Sequence, residues 1–283
     1  MAPEPLTLEG ASAPRAVGAG VRSVPSASST TGVKHAADLI WTLVRTDFKV
    51  RYHGTVGGFL WALLKPFSMF LVLTTVFSLV FVADRHFVIK LLLGLFLWEF
   101  FAEGTKTGLL SLWAKGYLLT KSRFPRWIIV AASSANAVIT FLVFVSVFLI
   151  YLAVVGRLPG PSRLLWFALY AIEMWLVIIG FALAMSVLYP RYRDLNHLWD
   201  AVSQAGFFIA PIVYPFEIVP QHVRVYMYLW PPTPIIQFAR QVLIEGTTPS
   251  IAANLLLLGQ TSAIVVIGIA VFAWLIPRTV EHL

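Results

Sequence analysis

Six apolar runs, several of them longer than the roughly 18–20 residues that carry a helix across a bilayer, punctuate the 283-residue chain. They lie near Gly58–Val82, Phe87–Leu112, Trp127–Val155, Leu164–Tyr189, Leu198–Tyr214 and Ile251–Ile276. The fifth is the most dilute, because Asp200, Ser203 and Gln204 fall inside it. A soluble domain carries about 25% charged residues, whereas this chain has 12%, with 59% hydrophobic residues and a mean hydropathy of +0.82. The reading is an all-α integral membrane protein with six transmembrane helices.

Before the first run stands a Pro-, Ala-, Ser- and Gly-rich stretch without an apolar h-region, read as a disordered cytoplasmic tail over residues 1–34 and not a signal peptide. An amphipathic interface helix is expected over 35–56 and a six-helix transmembrane domain over 57–283. The net charge of +8 raises the question of nucleic acid, and the placement of the cations answers it. With both termini inside, Arg85, Lys90, Arg157, Arg163, Arg224 and Arg240 face outward and the other fifteen of the 21 Lys and Arg face the cytoplasm. That bias follows the positive-inside rule. The charge therefore reports multi-pass topology in a plasma membrane, with both termini cytoplasmic and no nucleic-acid partner.

In "AADLIWTLVRTDFKVRYHG", Ile40, Val44 and Phe48 recur at i, i+4 with Leu39 and Leu43 beside them, while Arg45 and Lys49 take another face. Asp47 and Arg51 stand four residues apart and are able to pair. Such a helix lies in the interface, its cations near lipid headgroups. The following "GTVGG" reads as an elbow, Trp61 and Lys65 as an interfacial aromatic and a snorkelling amine, and Pro66 as a bend or break.

Between residues 211 and 246 six prolines (211, 215, 220, 231, 232, 234) forbid a regular hairpin, and aromatics are interleaved with them. Short broken helices between the last two spans are expected, dipping partly into the membrane. The aromatics form either an interface belt or a gate and sugar-contacting platform. Candidate pathway or gate residues are Phe207, Phe208, Pro211, Tyr214, Pro215, Tyr226, Tyr228 and Trp230, with Glu173 from the fourth span. Ionisable groups inside a span are functional candidates. Glu173 has no partner nearby in sequence, which leaves a cross-helix contact or a water-lined path, while Glu103 and Lys106 are spaced to neutralise each other.

Enzyme signatures are thin. The six histidines show no ligand spacing, so no metal site and no catalytic residue are assigned. The chain has no cysteine, which excludes a thiolate nucleophile and disulfides. Arg193 and Asp194 read as a structural ion pair at a loop-to-helix start. No G-x-x-x-x-G-K-[ST] occurs, so any ATP-driven process needs a separate ATPase subunit.

Four landmarks in order carry a family resemblance. Arg51, Tyr52, Gly58 and Trp61 match an Arg-Tyr, Gly, Trp opening, with Thr55 in place of Ser and Gly57 in place of Leu. Leu118, Lys121, Phe124, Pro125 and Arg126 match a Leu, Lys, Phe-Pro-Arg signature after the second span, with Lys115 where Asn is usual. Arg193-Asp194 and Pro211 to Pro215 match an Arg-Asp pair and a Pro-hydrophobic-hydrophobic-Tyr-Pro close. Pro231, Thr233, Pro234 and Arg240 match a final segment in which Trp230 replaces Asn. The chain thus resembles the membrane subunits of ABC exporters of the type-two permease class, especially those exporting polysaccharides such as O-antigen, teichoic acid or galactan.

The resemblance implies two permease copies and two ATPase subunits, with ATP and Mg on the ATPase and no cofactor on this chain. Lipid-linked glycan is the implied substrate, and membrane lipids surround the spans. It also implies an ATPase-coupling interface at Arg45, Asp47, Lys49, Arg51, Tyr52, Lys121, Arg123, Phe124, Pro125 and Arg126. Those cations suit a partner surface or anionic headgroups equally. An exporter of a drug or lipid is the alternative in the same class. A membrane-bound glycosyltransferase would need a loop with clustered carboxylates, which the longest loops lack, and a passive channel or scaffold would need no ATPase.

Overall fold

The computed structural model describes residues 29–52, 58, 60–80, 86–116 and 125–279, and they are helical with short connections. The helices are α1 (Ser29–Tyr52), α2 (Leu60–Ser78), α3 (Phe87–Ala114), α4 (Arg126–Val154), α5 (Pro161–Leu188), α6 (Leu195–Ile209), α7 (Gln221–Met227), α8 (Pro232–Arg240) and α9 (Ile251–Thr279). A 3₁₀ turn (Phe216–Ile218) precedes α7, and a π turn (Gln241–Glu245) continues α8. Residues 1–28 of the expected tail lie outside the described residues; α1 starts at Ser29, within the stretch assigned to that tail.

Among the described residues three helices, α4, α5 and α9, are long and apolar enough to cross a membrane. In α2 the apolar stretch Leu63–Ser78 is shorter, and α3 carries Glu99, Glu103 and Lys106 along its length. The fifth run is covered by only 15 helical residues in α6, about 22 Å at 1.5 Å per residue and short of a ~30 Å hydrocarbon core. Pro66 does not break α2, which continues from Leu60 to Ser78 with that proline inside. Gly58 closes the preceding connection with φ of +45°, a conformation that glycine adopts without steric cost.

α3 sits at the centre. It is apolar over most of its circumference, as expected of a helix enclosed by others, with Glu99, Glu103 and Lys106 on one face, and packs against α2, α4, α5, α6 and α8. Phe96 stacks on Phe144 and Phe100 on Phe141, tying α3 to α4 at centroid distances of 4.8 and 4.4 Å. On the other side Gly104 and Gly108 admit Ile178 and Ala182 of α5 so closely that a Cβ at Gly108 would lie 2.4 Å from the Ala182 methyl. α5 in turn meets α9 backbone to backbone, where a Cβ at Gly268 would lie 2.1 Å from the carbonyl oxygen of Gly180. Small residues let helices approach this way in lipid, where dispersion and not water exclusion drives association.

Candidate functional site

At one end of the bundle α1 lies against α4, with Val44 only 4% exposed. The carboxylate that fixes this contact is Asp47. It pairs with Lys115, the residue just past the end of α3, and accepts a hydrogen bond from Asn136 Nδ2 of α4 at 3.3 Å. Lys115 Nζ also donates to Ser133 Oγ at 3.0 Å. Asp47 is thus committed to α3 and α4, and the lysine that stands where the resemblance expects asparagine is the residue that reaches it.

Around this knot Arg45 and Lys49 are exposed on the opposite side of α1. Pro125 precedes α4 in extended backbone, and Arg126 donates to the carbonyl of Ile276 near the end of α9 at 3.3 Å. A cation there suits the negative end of a helix dipole. The side chains of Arg51 and Tyr52, and the whole of Lys121, Arg123 and Phe124, lie outside the described residues.

At the far end of the bundle a second buried cation organises the proline-rich segment. Arg240, 4% exposed, donates through Nε and Nη2 to the carbonyl of Lys90 at 3.1 and 2.9 Å, through Nη1 to Pro211 at 2.5 Å and through Nη2 to Ile212 at 3.0 Å. Gly94 leaves the room: a Cβ there would lie 2.6 Å from Nη2. Lys90 pairs with Glu245 of the π turn at 3.1 Å, so the first turn of α3 holds this end of α8 by two separate contacts.

The prolines stop the chain from satisfying its own backbone, and side chains take over. Arg224 donates to the carbonyls of Glu217 and Val219 at 2.7 and 2.8 Å and lies over the Phe216 ring. Tyr214 OH donates to the Phe208 carbonyl at 2.7 Å, and Gln260 of α9 donates to that of Leu229 at 2.9 Å. Burial pushes the Tyr228 phenol above its ordinary range, against the opposing effect of nearby Arg224.

The structure sorts the candidate gate residues by burial. Phe207 and Pro211 are buried, with Phe207 edge-on to Trp98 at 5.7 Å. Trp230 packs against Phe101 at 5.9 Å and occupies the space above Gly206, where a Cβ would lie 2.4 Å from its ring. Tyr214, Pro215 and Tyr228 are half-buried, while Phe208 and Tyr226 are exposed, at 62% and 71%.

Lys106 and Lys65 find partners across the bundle and not along their own helix. Lys106 meets Asp200 of α6 at 2.5 Å, in place of the local pairing with Glu103 that the spacing allowed. Lys65 does not simply extend outward but pairs with Glu99 of α3 at 3.2 Å. Glu173 is 5% exposed, and its Oε2 has no hydrogen-bond partner. Arg193 and Asp194 are both exposed and form no ion pair with each other, because the chain turns there from α5 into α6 and both side chains face outward. Among the described residues no group of three His, Asp or Glu converges as a metal site would.

Asn136, Ser133 and the glycine contacts escaped the reading of the sequence. The Gly-x-x-x-Gly spacing of "GTKTG" at 104–108 is the one local signal that would have flagged an α3 packing face.

With this geometry in place, comparison with known proteins is informative. Residues 38–244 match the family model described as ABC-2 type transporter. The chain is 26% identical over 247 residues to an "O-antigen export system permease protein RfbA" of Klebsiella pneumoniae, covering 87% of this chain and 95% of that protein. A second protein of the same name from Klebsiella pneumoniae is 27% identical over 211 residues, with 74% and 82% covered. One from Myxococcus xanthus is 26% identical over 186 residues, with 64% and 70% covered.

Proposed function

The chain belongs to the ABC-2 type transporter family, and from that premise we propose that it is the membrane permease of an ATP-driven exporter moving lipid-linked polysaccharide across the plasma membrane. The chain is a transport subunit and not itself an enzyme. Six passes are proposed, formed by α2, α3, α4, α5, α6 with the residues just after it, and α9, with both termini cytoplasmic and α1 in the interface. Two copies associate with two ATPase subunits, which hold the ATP and Mg. No P-loop occurs in this sequence to supply that function. The glycan substrate is suggested by the relatives, which are O-antigen export permeases.

The observation that carries the coupling part of this reading is the Asp47 knot. A nucleotide-driven push on α1 or on the loop after α3 reaches the bundle only if those pieces are fastened to it. Asp47, Lys115, Ser133 and Asn136 fasten α1 to α3 and α4 beside that loop. Coupling of this kind needs a stiff contact and not only proximity.

A lipid exporter of the same class is the second reading, favoured by an apolar groove of about 760 Å³ between α4 and α5 that Trp41 and Val44 of α1 close at one end. The test for both is ATP hydrolysis by the chain co-expressed with its cognate ATPase in lipid, with and without lipid-linked glycan. Glycan-dependent turnover supports the first reading. A stable complex indifferent to glycan but stimulated by lipid supports the second, and no complex with a verified ATPase overturns both.

A further inference from the structure

A cavity of about 500 Å³ opens between α2, α3 and α6 in the half of the bundle nearer α1. Its wall runs along α3 from Glu99 to Thr107, roughly 12 Å at the rise of a helix. Trp61 of α2 lines it from one side and Trp199 of α6 from another. Trp199 is held in place before any ligand arrives: its Nε1 donates to Thr105 Oγ1 at 3.2 Å, and its ring packs on Phe181 at 4.0 Å. A ring fixed in this way loses little freedom on binding.

The charge of the wall limits the occupant. Lys65 and Lys106 face three carboxylates, Glu99, Glu103 and Asp200, and each lysine is already paired with one of them. An anionic ligand would meet a carboxylate beside each cation. A metal ion or organic cation would meet an ammonium beside Glu99 and Asp200, and the third carboxylate, Glu103, is itself engaged in another contact. An acyl chain would strip water from five ionisable side chains, which is costly. A neutral polyhydroxyl ligand avoids all three penalties. Its hydroxyls donate to carboxylate oxygens and accept from lysine, and its C–H face lies on an indole. The volume falls in the range of small-molecule sites.

We propose that this cavity is a carbohydrate subsite, holding one or a few neutral sugar residues of the exported glycan by stacking on Trp61 and Trp199 and by hydrogen bonds to the paired charges. The inference rests on the exporter reading and adds to it a place of contact distinct from the aromatic segment at the far end. It also changes the role of Trp61 from interfacial residue to sugar platform, and gives Glu99, Lys106 and Asp200 a function as a hydrogen-bonding wall of paired charges.

The test is photo-crosslinking in cells that make the glycan, with the full chain co-expressed with its ATPase. The photoreactive residue p-benzoyl-phenylalanine is placed at position 61, at position 203 in the same cavity, or at position 256 on the exposed face of α9. After irradiation the purified chain is hydrolysed in acid and its covalently held monosaccharides are measured, with ATP turnover of each complex recorded in parallel. Several-fold more carbohydrate at 61 and 203 than at 256 is the expected result. Glycan-stimulated turnover with equal capture at all three positions, or with capture of phospholipid alone at 61 and 203, overturns the subsite and leaves the exporter reading standing. No capture together with no glycan stimulation overturns the exporter reading, and this inference with it.

Discussion

Arg240 and Pro211, 29 residues apart in sequence, are joined by a buried hydrogen bond of 2.5 Å from the guanidinium Nη1 to the proline carbonyl. The same guanidinium reaches Ile212 and Lys90, so one side chain ties α8, the chain after α6 and the start of α3 together. Lysine has the charge but not the fork, and cannot serve three carbonyls in one plane.

Replacing Arg240 therefore releases the whole proline-rich segment. Arg240→Met removes the guanidinium donors that serve the buried carbonyls of Pro211 and Ile212 and the part-buried one of Lys90, and is expected to cost about 3–5 kcal/mol. Arg240→Lys should recover part of that loss. The check is thermal unfolding of the purified chain in lipid discs, together with limited proteolysis between residues 210 and 231. Unchanged unfolding of Arg240→Met would show that the fork is dispensable.

Asp47 and Lys115 should behave as a pair. Asp47→Lys and Lys115→Asp each leave two like charges facing one another at the α1 corner, whereas the double exchange restores attraction. In the ATPase complex, each single variant is expected to lose most glycan-dependent turnover and the double to regain much of it, a coupling of about 1–3 kcal/mol. Independent, additive losses would separate the pair from the transmission of motion.

The contact of Gly180 with Gly268 leaves no space for a side chain. Gly268→Leu is expected to force α5 and α9 apart, lowering stability by about 1–3 kcal/mol or more. Leucine at the neighbouring exposed position 269 is expected to be neutral. Thermal unfolding of the two variants, side by side, decides it.

Trp230 and Gly206 make a non-additive pair. Gly206→Ala alone drives a methyl group into the indole. Trp230→Asn alone leaves a void beside Phe101 and Trp199. Together they cost less than the sum of the two, because the methyl group enters space that the indole has left. A double-mutant cycle on unfolding stability should give a coupling of at least ~0.5 kcal/mol.

Lys121 and Arg123 test the partner surface in the resemblance. Reversing both to Glu should reduce co-purification of the ATPase without reducing the amount of permease in the membrane. Undiminished co-purification would assign their charge to lipid headgroups instead.

Much of the outline was legible because it depends on composition and local order. Apolar runs marked α2, α3, α4, α5 and α9 to within a few residues, since long apolar helices advertise themselves by length and hydropathy alone. The six prolines announced broken structure between residues 211 and 246 for an equally local reason, the missing amide hydrogens. The amphipathic spacing around Val44 marked a helix there; α1 runs over Ser29–Tyr52, earlier than the expected 35–56, and buries Val44 against α4.

What those patterns could not convey was partnership. Asp47 pairs with Lys115, 68 positions along the chain, and Lys106, which has Glu103 one turn away, pairs with Asp200. Helical spacing measures only neighbours on one cylinder, while a charge in a bundle settles on whichever opposite charge the packing of other helices brings within reach. That packing is decided by where the backbones approach most closely, at Gly104, Gly108, Gly180 and Gly268. The sequence by itself determined a helical membrane protein with an amphipathic N-terminal helix and an irregular aromatic segment, because those follow from hydropathy, periodicity and missing donors. Tertiary structure alone decided that Arg240 holds the irregular segment and that Trp61 and Trp199 share one charged cavity, because both depend on contacts between residues about 30 to 150 positions apart in the chain.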